Sequence, residues 1–138
     1  MLSANGALNP LVSFVYRITG GRVPSRMGAL PVMLLTTTGF KSGRQRTNPV
    51  LYFIDGANLV TAASAGGSDK NPVWLTNLVH NPVAVLTIRR ERRVVLAREA
   101  TPEERDRLWP LLTERFRGYE NYSKKTKRLI PVVIFSPA

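Results

Sequence analysis

The chain of 138 residues has no cysteine and a single histidine, His80. Without cysteine there is no disulfide, no thiolate metal site and no cysteine nucleophile. One histidine makes a classical zinc site or a Ser-His-Asp triad hard to build, and no metal site is expected. Acidic residues are scarce, 9 against 20 Lys and Arg, giving a formal net charge of +11. None occurs before Asp55, whereas Arg17, Arg22, Arg26, Lys41, Arg44 and Arg46 all do. A long field of one sign attracts phosphates, nucleic acid, acidic lipids or a polyanionic cofactor. No stretch approaches the ~20 apolar residues that a membrane span needs. The N-terminus lacks a basic segment followed by a continuous apolar core, so a secretory leader is not expected and the expected location is cytoplasmic.

What is present suits one domain: 43% of the residues are hydrophobic, and charged residues are interspersed with apolar runs. Asn9 to Thr19 reads as a short helix, with Leu11, Phe14, Val15 and Ile18 at helical spacing and Gly20-Gly21 to stop it. It covers one end of the fold or, with Arg17 and Arg22, makes a peripheral membrane contact. Residues 1–28 are expected to form this helix and a connecting arm. Pro31 to Thr38 is apolar and β-branched and reads as a strand, as does Thr47 to Ile54. Pro49 belongs near an edge or at a bulge, because it has no N–H for a ladder. Asp55-Gly56-Ala57-Asn58 turns the second strand into a third, Leu59 to Ala63. Asn71 is expected to cap a helix with Pro72 at its first position. That helix carries Trp74, Leu75, Leu78 and Val79. Val83 to Ile88 and Arg92 to Ala97 make a second hairpin around a charged turn. Thr101-Pro102-Glu103-Glu104 has the form of a capping box, opening a helix to about Phe116. A further helical piece, Tyr119 to Lys127, precedes a last strand from Ile130 to Ser136. Hairpins without βαβ alternation favour an antiparallel barrel with helices at its margins over a parallel doubly wound fold.

Two loops carry the chemistry. In Gly39-Phe40-Lys41-Ser42-Gly43-Arg44-Gln45-Arg46, backbone amides and basic side chains supply the donors and the positive field that a phosphate requires. The loop lacks P-loop spacing and lies between strands, and a solvated basic hairpin explains it equally well. The second loop, Ser64-Ala65-Gly66-Gly67, leads into a helix N-terminus, a ready anion site, with Trp74 one turn inside it. Together they point to a planar cofactor with an anionic tail.

The segments LLTTTGFKSGRQRTNPVLYF, AASAGGSDKNPVWLTNLVHNP, AREATPEERDRLWPLL and GYENYSKKTKRLIPVVIF resemble the deazaflavin-dependent nitroreductase family, in the same order from about Pro31 to Pro137. The resemblance implies a mainly β (α+β) fold, an antiparallel split β-barrel with flanking helices, as in flavin reductases and pyridoxamine oxidases. It implies an oxidoreductase that uses reduced coenzyme F420 and passes a hydride to a quinone, nitroaromatic or unsaturated lactone. It places phosphate and tail contacts on Lys41, Ser42 and Arg46, and ring contacts on Asn48 and Pro49. Ala63, Ser64, Gly66 and Gly67 would line the ring and linker beside Lys70, Asn71 and Trp74, and Phe116, Tyr119 and Tyr122 would cover the acceptor. Ser64, Tyr119 and Tyr122 are the hydroxyls expected to hold or protonate that acceptor. Two positions depart from the pattern: Ala65 stands where lysine is frequent, and Phe116 where nitro-reducing relatives carry tyrosine.

Plainer readings stand beside these. Tyr119 and Tyr122, at i and i+3, also suit a packed helix face, and Trp74 a core position. His80 fits a satisfied helix end. Arg89 to Arg93 reads as a solvated hairpin tip, and Lys124, Lys125, Lys127 and Arg128 as either a solvated face or an extension of the anion field. The same loops would serve a split barrel that binds flavin mononucleotide. A basic barrel for nucleic acid is a third reading, disfavoured because the basic residues cluster in glycine loops and the strands are apolar, so no specific nucleic-acid partner is expected. Split barrels often pair, which leaves a homodimer open.

Overall fold

The computed structural model describes residues 26, 27 and 30–138. The expected N-terminal helix, Asn9 to Thr19, lies outside the described residues. Strand β1 is Arg26–Met27, β2 Leu30–Thr38, β3 Gln45–Leu51, β4 Phe53–Asp55 and β5 Asn58–Ala62. A single 3-10 turn, Ala65–Gly67, precedes helix α1, Val73–His80. Strands β6 (Val83–Ile88) and β7 (Glu91–Glu99), helices α2 (Pro102–Arg115) and α3 (Gly118–Lys125), and strand β8 (Val132–Pro137) follow. Every strand pair is antiparallel. Among the described residues no helix is long and apolar enough to cross a membrane.

The sheet runs β1-β2-β6-β7-β8-β5-β4, and β3 pairs with β2 away from that path. The segment expected as one strand from Thr47 to Ile54 is therefore two. Residues 45–51 pair with β2, and residues 53–55 pair with β5 at the far end of the path. The joint is Leu51-Tyr52. The Tyr52 N–H donates to the Pro31 carbonyl at 3.1 Å, while the Leu51 carbonyl accepts from the Thr61 hydroxyl on β5. One stretch of chain thus belongs to both ends of the sheet and curls it into a barrel, as the split-barrel expectation requires.

Two apolar clusters fill the two sides of this wall. Met33, Leu35, Leu86, Val95 and Phe135 pack with Trp74, Leu75 and Leu78 of α1. Val60, Val132 and Ile134 pack with Leu108 and Leu112 of α2 and with Tyr119 of α3. Strands β5 and β8 are consequently buried on both faces, which explains their unbroken apolar runs. The β6–β7 turn is Arg89-Arg90, with φ of 48° and 74°, so β7 begins at Glu91 rather than Arg92.

Helix α1 corrects a sequence expectation. Pro72 is its N-cap, the helix begins at Val73, and Asn71 provides no cap. Helix α2 keeps its expected start: the Thr101 side chain accepts from the Glu104 N–H, and the Glu104 carboxylate accepts from the Thr101 N–H. Glu104 also holds a bidentate ion pair with Arg98 of β7 at 2.6 and 2.8 Å. Arg107, one turn on, grips Asp55 at 3.1 and 2.8 Å and ties α2 to β4.

The hydrogen bonds from Arg98, and then those from Thr101, hold the Glu104 carboxyl well below its ordinary value, at about 2. A carboxyl depressed on folding contributes stability above its unfolded pKa, and that contribution is lost as pH falls through the folded value. Thermal melts should show a loss of stability between about pH 4.5 and 2 that shrinks in Glu104→Gln, and an unchanged acid limb in that variant would rule out this pairing.

Candidate functional site

Strand β3 has no strand partner on its second edge among the described residues, and the site opens there. Pro49, which has no N–H to offer a ladder, pairs with Leu34 on β2. The loop that joins β2 to β3 closes on itself through Gly39 N–H to Arg44 O at 2.7 Å and Gly43 N–H to Gly39 O at 2.8 Å. Its seat is Asn77 of α1, only 1% exposed. The Asn77 Oδ1 accepts from the Phe40 N–H at 3.0 Å, and its Nδ2 donates to the Thr37 hydroxyl at 3.0 Å. His80 ends α1, with its Nδ1 3.0 Å from the Thr76 carbonyl oxygen and its ring stacked on Phe40 at 5.1 Å.

The glycine-bearing loop after β5 is held by one side chain. The Arg128 guanidinium donates to the carbonyls of Ser68 (2.8 Å), Ala63 (3.2 Å) and Ser64 (2.8 Å) and to Asn71 Oδ1 (2.9 Å). From the other side the loop rests on α3. Gly67 has φ +84°, and a Cβ there would lie 3.0 Å from both Tyr122 Cα and Tyr122 O. Only glycine accepts both that backbone angle and that approach.

Two cavities meet between these loops. The larger, about 480 Å³, is lined by Lys41, Ser42, Arg46, Asn48 and Phe40 at one end and by Pro49, Ala65 and Trp74 at the other. The smaller, about 210 Å³, shares Pro49, Ala65 and Trp74 and adds Ser64, Phe116, Tyr119 and Tyr122. Among the described residues, no acidic residue and no histidine lines either one. The positive end therefore faces no lining carboxylate, and the junction is formed by a proline, an alanine and an indole ring.

Of the residues expected at a cofactor, Lys41, Ser42, Arg46, Asn48, Pro49, Ser64 and Trp74 line one or both cavities. Ala63, Gly67, Lys70 and Asn71 line neither. Ala63 is fully buried in the core beside Trp74. Gly67 docks against α3, and Asn71 receives Arg128. Lys70 is exposed, and its N–H is turned to the Ser68 hydroxyl. Trp74 is both core and wall, 7% exposed and common to the two cavities. Phe116, Tyr119 and Tyr122 form one edge-to-face cluster, with centroids 5.0, 6.1 and 6.4 Å apart. Tyr119 is 3% exposed. Burial raises its phenol well above the ordinary value, partly offset by hydrogen bonding of Thr61 and the Ala62 backbone to the phenol oxygen. Its ring therefore lines the pocket while its phenol oxygen is bonded by β5 in the core. Sequence reasoning missed Asn77, whose signal was an amide inside an apolar helical stretch, and read Arg128, with its neighbouring lysines, as a solvated face or an extension of the anion field rather than as a clasp on the loop.

The family model for F420H2-dependent quinone reductases matches residues 11–137. The chain belongs to this family. An F420H2-dependent quinone reductase of Mycobacterium tuberculosis is 38% identical over 126 residues, covering 88% of this chain and 85% of the relative. A solved F420H2-dependent reductase (FDR-A) superposes with a TM-score of 0.70 at 37% identity, covering 77% of this chain and 94% of that one. A second structure, described as a domain-swapped dimer, gives a TM-score of 0.71 at 32% identity over 91% of this chain and 99% of its own. At 15% identity and a TM-score of 0.55, a Listeria innocua chain assigned as a pyridoxamine 5′-phosphate oxidase shows the fold alone; it covers 77% of this chain and 82% of that one. Membership makes this F420H2-dependent reductase an oxidoreductase with coenzyme F420 as its cofactor, and it selects the deazaflavin reading over flavin mononucleotide and nucleic acid. The residues present fit such a group. Lys41, Ser42 and Arg46 offer donors to an anionic tail, and Pro49, Ala65 and Trp74 offer flat apolar surface to a ring.

Asn77→Ala leaves the Phe40 N–H and the Thr37 hydroxyl without their buried partner and should cost about 1–3 kcal/mol in urea unfolding; a loss within error would mean that water replaces the amide. Arg128→Lys cannot reach four acceptors. Protection of the Gly67 and Ser68 amides in hydrogen exchange should fall by roughly tenfold, with global stability changed less.

Proposed function

We propose that this F420H2-dependent reductase seats the coenzyme along the larger cavity and passes a hydride to a quinone held in the smaller one. The observation that carries this reading is the junction of the two cavities at Pro49, Ala65 and Trp74, where a cation-lined groove opens directly onto an aromatic pocket. The relatives' names support quinone over a nitroaromatic or a lactone as the acceptor.

When bound, the reduced deazaflavin supplies the hydride. Lys41, Ser42 and Arg46 hold the anionic tail, and Asn48, Pro49 and Trp74 flank the ring. Ala65, standing where relatives often have lysine, leaves the junction apolar. Ala63, Gly66, Gly67, Lys70 and Asn71 act from beneath by shaping the loop that bears Ser64. The Phe116, Tyr119 and Tyr122 rings clamp a planar acceptor. A quinone becomes a hydroquinone by gaining one hydride and one proton. Ser64 and Tyr122 are the hydroxyls placed to hydrogen-bond its oxygens and relay that proton from solvent, since no carboxylate or histidine lines the pocket. Tyr119 positions the other two rings.

Titration with oxidised coenzyme F420, followed by tryptophan fluorescence, should show saturable binding that weakens by roughly tenfold in Lys41→Ala and in Arg46→Ala and declines with added salt. Preference for flavin mononucleotide would overturn the placement of the coenzyme. Turnover of nitroaromatics without turnover of quinones would overturn the acceptor.

A further inference from the structure

Gly118 lines neither cavity, yet the side chain it lacks decides where an aromatic wall stands. Helix α2 ends at Phe116, its C-cap, and α3 begins two residues later at Gly118. The Phe116 ring folds forward over that first residue. A Cβ added to Gly118 would lie 2.5 Å from Phe116 Cε2, with Cζ also inside contact distance. The ring thus occupies the space that any other residue at 118 would claim for itself. Gly118 is not among the glycines with positive φ, so the backbone would admit a side chain without strain. What a side chain would displace is the ring.

The ring's remaining neighbours fix the consequence. Phe116 stands edge-on to Tyr119 at an interplanar angle of 85° and meets Tyr122 at 61°. Tyr119 cannot give way: it is 3% exposed, it belongs to the core cluster with Leu108 and Leu112, and Trp109 backs it at 6.3 Å. A displaced Phe116 must therefore move against the pocket or out of it, and either movement redraws the outline of a cavity of only about 210 Å³. In a pocket of that size, a change of ring-edge dimensions alters which flat molecules fit.

We infer that Gly118 determines acceptor specificity by seating the Phe116 ring, an inference that rests on the smaller cavity being the acceptor pocket. The prediction is a change in the relative affinity for one-ring and two-ring quinones with binding of coenzyme F420 unchanged, because the atoms nearest an added Cβ at Gly118 all belong to Phe116, and neither residue lines the larger cavity.

The chain has two tryptophans, so Trp109→Phe leaves Trp74, in the wall of both cavities, as the reporter. In that background, without coenzyme, 1,4-benzoquinone and menadione are titrated against fluorescence for the parent, Gly118→Ala, Phe116→Ala and the double variant; Gly118→Ser serves if the alanine variant folds poorly. The ratio of the two affinities should shift by roughly tenfold in Gly118→Ala, and adding Gly118→Ala to Phe116→Ala should shift it no further. The ratio of kcat/KM for the two quinones with reduced coenzyme should follow the same pattern. An unchanged ratio in Gly118→Ala while Phe116→Ala shifts it, or an equal shift from Gly118→Ala in both backgrounds, overturns this inference alone. If Phe116→Ala alters neither affinity, the cavity is not the acceptor pocket, and both readings fall.

Discussion

The structure depends on a change of partner in the middle of one extended segment. Up to Leu51 the chain is the neighbour of β2, and from Phe53 it is the neighbour of β5, with Tyr52 buried between. Two hydrogen bonds, to Pro31 and from Thr61, mark the transfer. The transfer closes the sheet into a barrel and, among the described residues, leaves the second edge of β3 without a strand beside it. That edge is where the cavities lie. The proline on it has no N–H to leave unsatisfied, so a ligand can lie beside this backbone without competing with a ladder.

The site is assembled from distant pieces, each held by a single polar side chain from another element. Asn77 seats the basic loop on α1, and Arg128 draws the glycine loop toward the start of β8. Both use side-chain groups to satisfy backbone that no strand or helix completes. This division of labour separates holding the loops from binding. The cations facing the larger cavity, Lys41 and Arg46, make none of these structural bonds, and their charge remains available to an anion.

Much of this was legible in the residues. The strands of the second hairpin, the capping box at Thr101 and the final apolar strand follow from local periodicity and turn chemistry, and they lie within two residues of expectation. Lys41, Ser42, Arg46, Pro49 and Trp74 were singled out and share one cavity. What escaped was non-local. Nothing in Thr47 to Ile54 announces that its two halves pair with different strands. Asn71 has the form of a cap, but its side chain is taken by Arg128, 57 residues away. Tyr119 reads as a pocket hydroxyl until the fold brings Thr61 and Ala62 to it. In each case a long-range partner overrode the local signal.

Strand β8 follows every other described element in the chain, yet it stands inside the sheet, hydrogen-bonded to β7 on one side and β5 on the other. Until it arrives, the two halves of the barrel wall have no connection along that line, and each offers an open strand edge to whatever is near. Arg128 lies just ahead of it, so the clasp on the glycine loop is carried by the chain that leads into β8. Barrel closure and the shaping of the pocket therefore depend on the same segment, and a chain in which it is undocked would expose adhesive edges as well as lacking a site.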